Sequence, residues 1–269
     1  RTFCTPGEDD ILICPPTYGM YAISAETCDV GIKRVPLNDD FSLDVDGICA
    51  TENVNLVFIC APNNPTGTQV SKADLTAVLE HFADTALVVV DEAYIEFDIK
   101  STWATQLAAY PNLVVLRTLS KAFALAGLRC GFTIASEAII QSLLKVIAPY
   151  PIPEPVAQIV AQALTAENIE RMQQQVAFLN EQRTTLQAEL AKRPGVALVG
   201  DVKANYILFR HSHCAQIMQY LVSQGMLIRD QSKQLNLQNC LRVTIGSAEQ
   251  NQRLLSLLDA YFEQAGASL

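Results

Sequence analysis

The 269-residue chain is 50% hydrophobic and 17% charged, enough to bury one large core or two smaller ones. A formal net charge of −9 argues against nucleic acid or an anionic membrane as a partner. No apolar run approaches the roughly 18 residues of a membrane span, and no signal peptide is visible.

Arg1 to Glu8 reads as the tail of a helix and a turn, as if a domain had lost its start. Ile11–Cys14 is a short strand stopped by Pro15-Pro16, after which Thr17-Tyr18-Gly-Met-Tyr21 leads into a helix. Ile32–Val35 and the apolar run Leu56–Cys60 are further strands, the second closed by Ala61-Pro-Asn-Asn-Pro-Thr-Gly67. Ser71 caps a helix over Lys72–Phe82. Ala86–Val90 runs into Asp91-Glu-Ala-Tyr94, and a short helix over Trp103–Ala108 precedes the strand Leu113–Leu116. Thr118-Leu-Ser-Lys121 follows that strand, with Arg129 eight residues on, and Gly131–Ala135 is one more strand. Buried strands alternating with helices predict an α/β fold, with a mostly parallel sheet covered on both faces.

Ala148-Pro-Tyr-Pro-Ile-Pro153 marks a junction. A helix over Pro155–Leu164 and a long, largely solvated one over Ala166–Lys192 come next. The rest reads as a small α+β unit, with strands Val196–Val199, Tyr206–Phe209, Leu227–Arg229 and Leu241–Ile245 and helices Ala215–Ser223 and Glu249–Ala265. The division is therefore a large domain over 1–150, interdomain helices over 151–193 and a small C-terminal domain over 194–269.

The eight cysteines form no C-x-x-C pair, and several sit in apolar runs, so they are read as buried free thiols in a reducing compartment. His81, His211 and His213 form no ligand set; no metal site is expected, and His211-Ser-His213 is read as an exposed loop.

Three polar clusters follow apolar strands: Asn63-Asn64, Asp91 with Tyr94, and Ser120-Lys121. Ligands of parallel sheets bind outside the carboxyl ends of the strands, so this convergence is the main argument for a site. A lysine in an apolar setting loses proton affinity, and a neutral amine attacks an aldehyde to form a Schiff base. Thr118, Ser120 and Arg129 suit a phosphate. An aldehyde-reactive lysine beside a phosphate seat is what pyridoxal phosphate requires. Asp91 suits a pyridinium nitrogen, though a lone strand-end Asp more often caps a turn. Tyr94 and Asn64 can donate to a ring oxygen, and their alternatives are packing and a turn. Tyr18 can stack on a ring or belong to the core. Arg242 points away from the face shared by Leu241 and Val243; an anionic ligand and a surface salt bridge explain it equally, and Arg229 carries the same ambiguity.

The order Asn-Pro-x-Gly, Asp-x-x-Tyr, Ser-Lys followed by Gly-x-Arg, then a late Arg resembles the fold-type I pyridoxal-phosphate aminotransferases. Cys14–Tyr21, Pro62–Gly67, Asp91–Phe97, Arg117–Gly131, Lys145–Pro151 and Ile228–Asp230 are similar to their histidinol-phosphate aminotransferase branch. The resemblance implies a cytoplasmic homodimeric enzyme of histidine biosynthesis that exchanges the amino group between histidinol phosphate and 2-oxoglutarate. It implies that Lys121 carries the cofactor and moves the proton, Asp91 pairs with the ring nitrogen, and Tyr94 and Asn64 bind the ring hydroxyl. Ser120 and Arg129 would hold the phosphate with Thr118 nearby, Tyr18 would stack on the ring, and Arg242, assisted by Arg229, would take the substrate's anionic group. Family members also carry an N-terminal arm, a strand and a Gly-rich turn, which are expected to be missing here. Two competing readings remain: another aminotransferase of this fold acting on aromatic or other amino acids, and a non-catalytic effector domain of a regulator.

Overall fold

The computed structural model describes residues 1–266. Its larger sheet contains β1 (Asp10–Ile13), β2 (Gly31–Arg34), β3 (Leu56–Cys60), β4 (Leu87–Asp91), β5 (Leu113–Thr118) and β6 (Gly131–Ile134), in the order β2-β1-β3-β4-β5-β6. The first five run parallel and β6 returns antiparallel to β5. The run Leu87-Val-Val-Val90 is almost wholly buried because β4 is central and covered on both faces. Around this sheet lie α1 (Met20–Thr27), α2 (Val45–Cys49), α3 (Lys72–His81) and α4 (Glu137–Leu144). Ser71 caps α3 as expected, its side chain accepting from the Asp74 amide at 3.0 Å.

After α5 (Glu154–Ala163) and the long α6 (Ala166–Ala191) comes a second sheet, β7-β8-β10-β9, antiparallel throughout. Its strands are β7 (Ala197–Val199), β8 (Tyr206–Arg210), β9 (Arg229–Asp230) and β10 (Cys240–Thr244), backed by α7 (Cys214–Ser223) and α8 (Ala248–Gly266). A core of Leu186, Leu190, Ile207, Phe209, Ile217, Leu221, Leu241 and Leu258 lies between this sheet and its helices. The seam between the two sheets is tight. Gly67 and Gly200 both adopt positive φ, and a Cβ on either would strike main chain of the other's loop, at Asp201 and Thr66 respectively. The Lys203 amide donates to the Gly67 carbonyl across the seam.

Several expectations need correction. Residues 1–8 hold no helix: the chain forms a turn in which the Glu8 and Asp9 amides donate to the Thr5 carbonyl. Helices α2 and α4 were not expected, and β9 sits at Arg229–Asp230 rather than Leu227–Arg229. Trp103–Ala108 yields only a 3-10 turn over Ala104–Gln106, and a second covers Ile95–Ser101. All eight cysteines are free, but Cys28 and Cys49 are only half-buried. Among the described residues no helix is long and apolar enough to cross a membrane, and no His/Cys/Asp/Glu group could hold a metal ion.

His211 is not on an exposed loop. It is buried against Phe262, its Nδ1 accepts from the His213 amide at 2.9 Å, and its Nε2 lies 3.1 Å from the Pro194 carbonyl. Nδ1 must therefore be the bare nitrogen and Nε2 the donor. Burial, its largest influence, holds the imidazole's pKa below the ordinary value. Because the folded pKa lies below the unfolded one, the neutral ring's stabilisation is complete above about pH 6.5. It is lost as pH falls towards the folded value. The expected result is that lowering pH from 8 to 5 costs the wild type more Tm than it costs His211→Gln. Parallel pH profiles by circular dichroism would remove His211 as a source of acid sensitivity.

Candidate active site

Register brings the polar clusters to one edge. Cys60 pairs with Asp91 and Asp91 with Leu116, so β3, β4 and β5 end level. Beyond their carboxyl ends lies a cavity of about 450 Å³. Tyr18, Asn64, Asp91, Tyr94, Thr118, Ser120, Lys121 and Arg129 all line it. The eight residues come from four separate segments, each following a strand of the larger sheet, at the place where such sheets bind ligands.

Local structure explains the choice between neighbours. Asn63 is buried and structural: its side chain accepts from the Thr17 hydroxyl at 3.0 Å and donates to the Pro16 carbonyl and the Thr66 hydroxyl at 2.9 and 2.8 Å. Asn64 instead lines the cavity, and its Oδ1 accepts from Arg242 Nη1. In the loop after β5, the Thr118 hydroxyl donates to Ser120 Oγ at 2.9 Å and accepts from the Ser120 amide at 3.1 Å, which fixes that turn. Arg129 takes the left-handed conformation, φ 53°, at the end of a 3-10 turn over Ala126–Leu128, and its Nη1 donates to the Ala126 carbonyl at 3.0 Å.

Lys121 is half-buried, with Nζ 5.2 Å from the centre of the Tyr94 ring. Burial lowers its pKa, the nearby Arg242 and Arg129 lower it further, and Asp91 opposes them. Burial raises the Asp91 pKa, against a 2.6 Å hydrogen bond from the Tyr21 hydroxyl, a 3.0 Å one from the Ala93 amide, and the charge of Lys121. No salt bridge reaches Asp91 among the described residues. Tyr94 is buried with its pKa pushed up to about 12, so it stays a hydroxyl donor.

Arg242 stacks its guanidinium 4.7 Å from the Tyr206 ring centre, and its Nε is buried with no hydrogen-bond partner. It lies on the face of β10 opposite the buried Leu241 and Val243, as the alternation implies. Arg229 is exposed on β9, directly across from Arg242 in the antiparallel pair, so the two share a face.

Sequence reasoning missed Tyr21 and Tyr206. Tyr206 donates to the Asn63 carbonyl at 2.7 Å and meets Tyr94 edge-on at 5.2 Å, tying the second sheet to the cavity. Tyr21 had one usable signal, its place three residues after Tyr18 at the start of a helix. Tyr206 had none, since Asn63 and Tyr94, the partners that tie it to the cavity, lie more than a hundred positions away.

Residues 1–258 match the family model for aminotransferase class I and II. The chain belongs to the class I and II aminotransferase family. It is 65% identical over 263 residues to histidinol-phosphate aminotransferase of Pseudoalteromonas atlantica, covering 97% of this chain and 71% of that protein. The structure of histidinol-phosphate aminotransferase from Clostridium acetobutylicum superposes with a TM-score of 0.88 at 24% identity, covering 95% of this chain and 78% of that one. The Sinorhizobium meliloti enzyme in complex with pyridoxal 5'-phosphate gives 0.84 at 21%, covering 96% and 72%. This aminotransferase family depends on pyridoxal phosphate, and the fold-type I architecture expected from the sequence is the one found.

The cavity's floor rests on an ion-pair network. Glu92, fully buried, accepts from Arg117 Nε at 2.7 Å, from the Thr102 hydroxyl at 2.9 Å and from the Trp103 amide. Arg117 also reaches Glu96 at 3.0 Å and the Thr102 hydroxyl at 2.9 Å. Removing one partner of such a pair strands the other's charge in a dry site. Arg117→Met is expected to lower unfolding stability by about 3 kcal/mol. Urea denaturation checks this, and a loss under about 1 kcal/mol would make the network marginal.

Proposed function

We propose that this protein is a histidinol-phosphate aminotransferase, exchanging the amino group between histidinol phosphate and 2-oxoglutarate through pyridoxal phosphate. The observation that carries the reading is the convergence of Lys121, Asp91, Asn64, Tyr94, Ser120 and Arg129 on one cavity. The residues present fit the cofactor: Asp91 is a half-buried carboxylate with two hydrogen-bond donors and, among the described residues, no salt bridge, and a protonated ring nitrogen would supply one. The 65% identity to a protein of that name supports the substrate.

When bound, the cofactor supplies an electron sink for the substrate carbon that loses its proton. Lys121 would attach the cofactor, and its Nζ would carry the proton from that carbon; burial and the nearby arginines lower its pKa, which favours the neutral amine. Asp91 would keep the ring nitrogen protonated. Tyr94 and Asn64 would donate to the ring hydroxyl. Ser120, braced by Thr118, and Arg129 would hold the phosphate, and Tyr18 would cover one ring face. Arg242 offers its remaining donors to the substrate's anionic group, and Arg229 stands beside it on the same face. On the same reading the chain divides into 1–150, 151–193 and 194–269, and this second anion seat would belong to the small domain and the cofactor seat to the large one.

The same reading takes the protein as a cytoplasmic homodimer. The eight free thiols accord with a reducing compartment, and exposed Tyr18, Met20 and Ile23 on and before α1 suit cover by a second copy.

Three measurements test it. Borohydride reduction of the full chain loaded with cofactor, then peptide mapping, should place the pyridoxyl group on Lys121; a label elsewhere would discard the assignment. Asp91→Asn should fold normally and slow the proton-transfer half-reaction by about 10²-fold or more. For substrate choice, histidinol phosphate has no α-carboxylate, so its phosphate must be the anchor. A dianionic phosphate engages two arginines, each charge-assisted bond contributing about 1.5–3 kcal/mol, while a carboxylate held bidentately by one gains less from a second. Arg242→Ala should therefore lower kcat/KM for both substrates, and Arg229→Ala should lower it more for histidinol phosphate than for glutamate. Equal losses in Arg229→Ala would refute the division. Turnover of phenylalanine or aspartate well above histidinol phosphate would favour another aminotransferase specificity.

A further inference from the structure

Tyr21 reaches Asp91 from α1, seventy residues earlier in the chain. Its ring stacks on Phe58 of β3, centroids 5.0 Å apart and planes 22° apart. The same ring meets Tyr18 edge-on at 5.6 Å. Only 7% of Tyr21 is exposed, and its hydroxyl donates to Asp91 Oδ2 at 2.6 Å. The Ala93 amide holds the other oxygen at 3.0 Å. Four ionisable groups face this carboxylate: Tyr21 from α1, Cys60 at the end of β3, Tyr94 after β4 and Lys121 after β5. Among the described residues, Tyr21 alone offers it a side-chain hydrogen bond.

Resting on the function proposed above, we infer that Tyr21 is a positioning residue: its hydroxyl sets the plane of the Asp91 carboxylate and disperses its charge, so that Asp91 meets the cofactor's ring nitrogen ready-aimed. Two bonds, one to each oxygen, fix a group that would otherwise rotate freely about its last torsion. A donor to the ionised form also stabilises it against the desolvation that burial imposes. Burial and the neighbouring Cys60 and Asp91 hold the Tyr21 pKa well above the ordinary range, so the hydroxyl remains a donor throughout the working pH range. The Tyr18 contact gives the residue a second consequence. Tyr18, just before α1, and Tyr21 on its first turn are in ring contact, so the segment that would cover the cofactor's face also supplies the hydroxyl that orders its counter-ion.

Tyr21→Phe removes the hydroxyl and keeps the ring that packs on Phe58 and Tyr18. In the full chain, the dissociation constant for pyridoxal phosphate should rise about tenfold, the scale of losing one hydrogen bond to a charged group. The pH midpoint of the loaded protein's visible absorption should rise by about half a unit or more, because a less dispersed negative charge at Asp91 favours the cationic form of what is conjugated to the ring. Circular dichroism of the cofactor-free protein should not change. In an Asp91→Asn background, Tyr21→Phe should add less than about a twofold change in the dissociation constant, since its effect passes through Asp91. A Tyr21→Phe protein with wild-type affinity and midpoint, beside an Asp91→Asn protein that has lost both, overturns the role of Tyr21 and leaves the proposed function standing. An Asp91→Asn protein that binds and absorbs like the wild type overturns the cofactor reading and this inference with it.

Discussion

A carboxylate at the end of a central parallel strand is costly until a cation stands beside it. The Asp91 backbone is fixed at the cavity's edge: β4 is held by β3 and β5 in register, and Val88 to Val90 lock it into the core. Two hydrogen bonds offset part of the desolvation, yet the pKa of the group stays raised. Lys121 favours its charge from across the cavity without forming an ion pair.

The cations around the same cavity answer the complementary need. Lys121, Arg129 and Arg242 lie close enough that the two arginines depress the lysine's proton affinity, with burial acting in the same direction. Bringing these three together costs free energy unless anions arrive, and a phosphate and a substrate carboxylate or phosphate are such anions.

Much of this was legible because parallel strands buried on both faces read as unbroken apolar runs, and the residue after each run had to lie at the sheet's carboxyl edge. The apolar runs Leu56–Cys60, Ala86–Val90 and Leu113–Leu116 placed Asn64, Asp91 and Lys121 at that edge from the sequence alone. What stayed hidden depended on long-range contact. The antiparallel return of β6 follows from pairing, to which its short apolar sequence is indifferent. His211 looked exposed because polar neighbours flank it, whereas Pro194 and Phe262, distant in sequence, enclose it. Tyr21 and Tyr206 read as ordinary aromatics, and their hydroxyls acquired roles only when helix and strand packed against Asp91 and Asn63.

The two adjacent asparagines carry the last connection. Asn63 uses its whole amide on Pro16, Thr17 and Thr66, and gives its carbonyl to Gly67 and to Tyr206. The turn is thereby rigid, and the tight approach of Gly67 and Gly200 brings the second sheet against it. Only with that seam closed can Arg242 on β10 reach Asn64 while resting on the Tyr206 ring. Asn64 then faces the cavity on one side and meets Arg242 on the other. The seam is glycine against main chain, with the Asp201 carboxylate and Thr68 hydroxyl bonding across it, so a displacement of β10 shifts Arg242 relative to the cavity. The placement of Arg242 against the cavity is thus fixed by the packing of the two sheets.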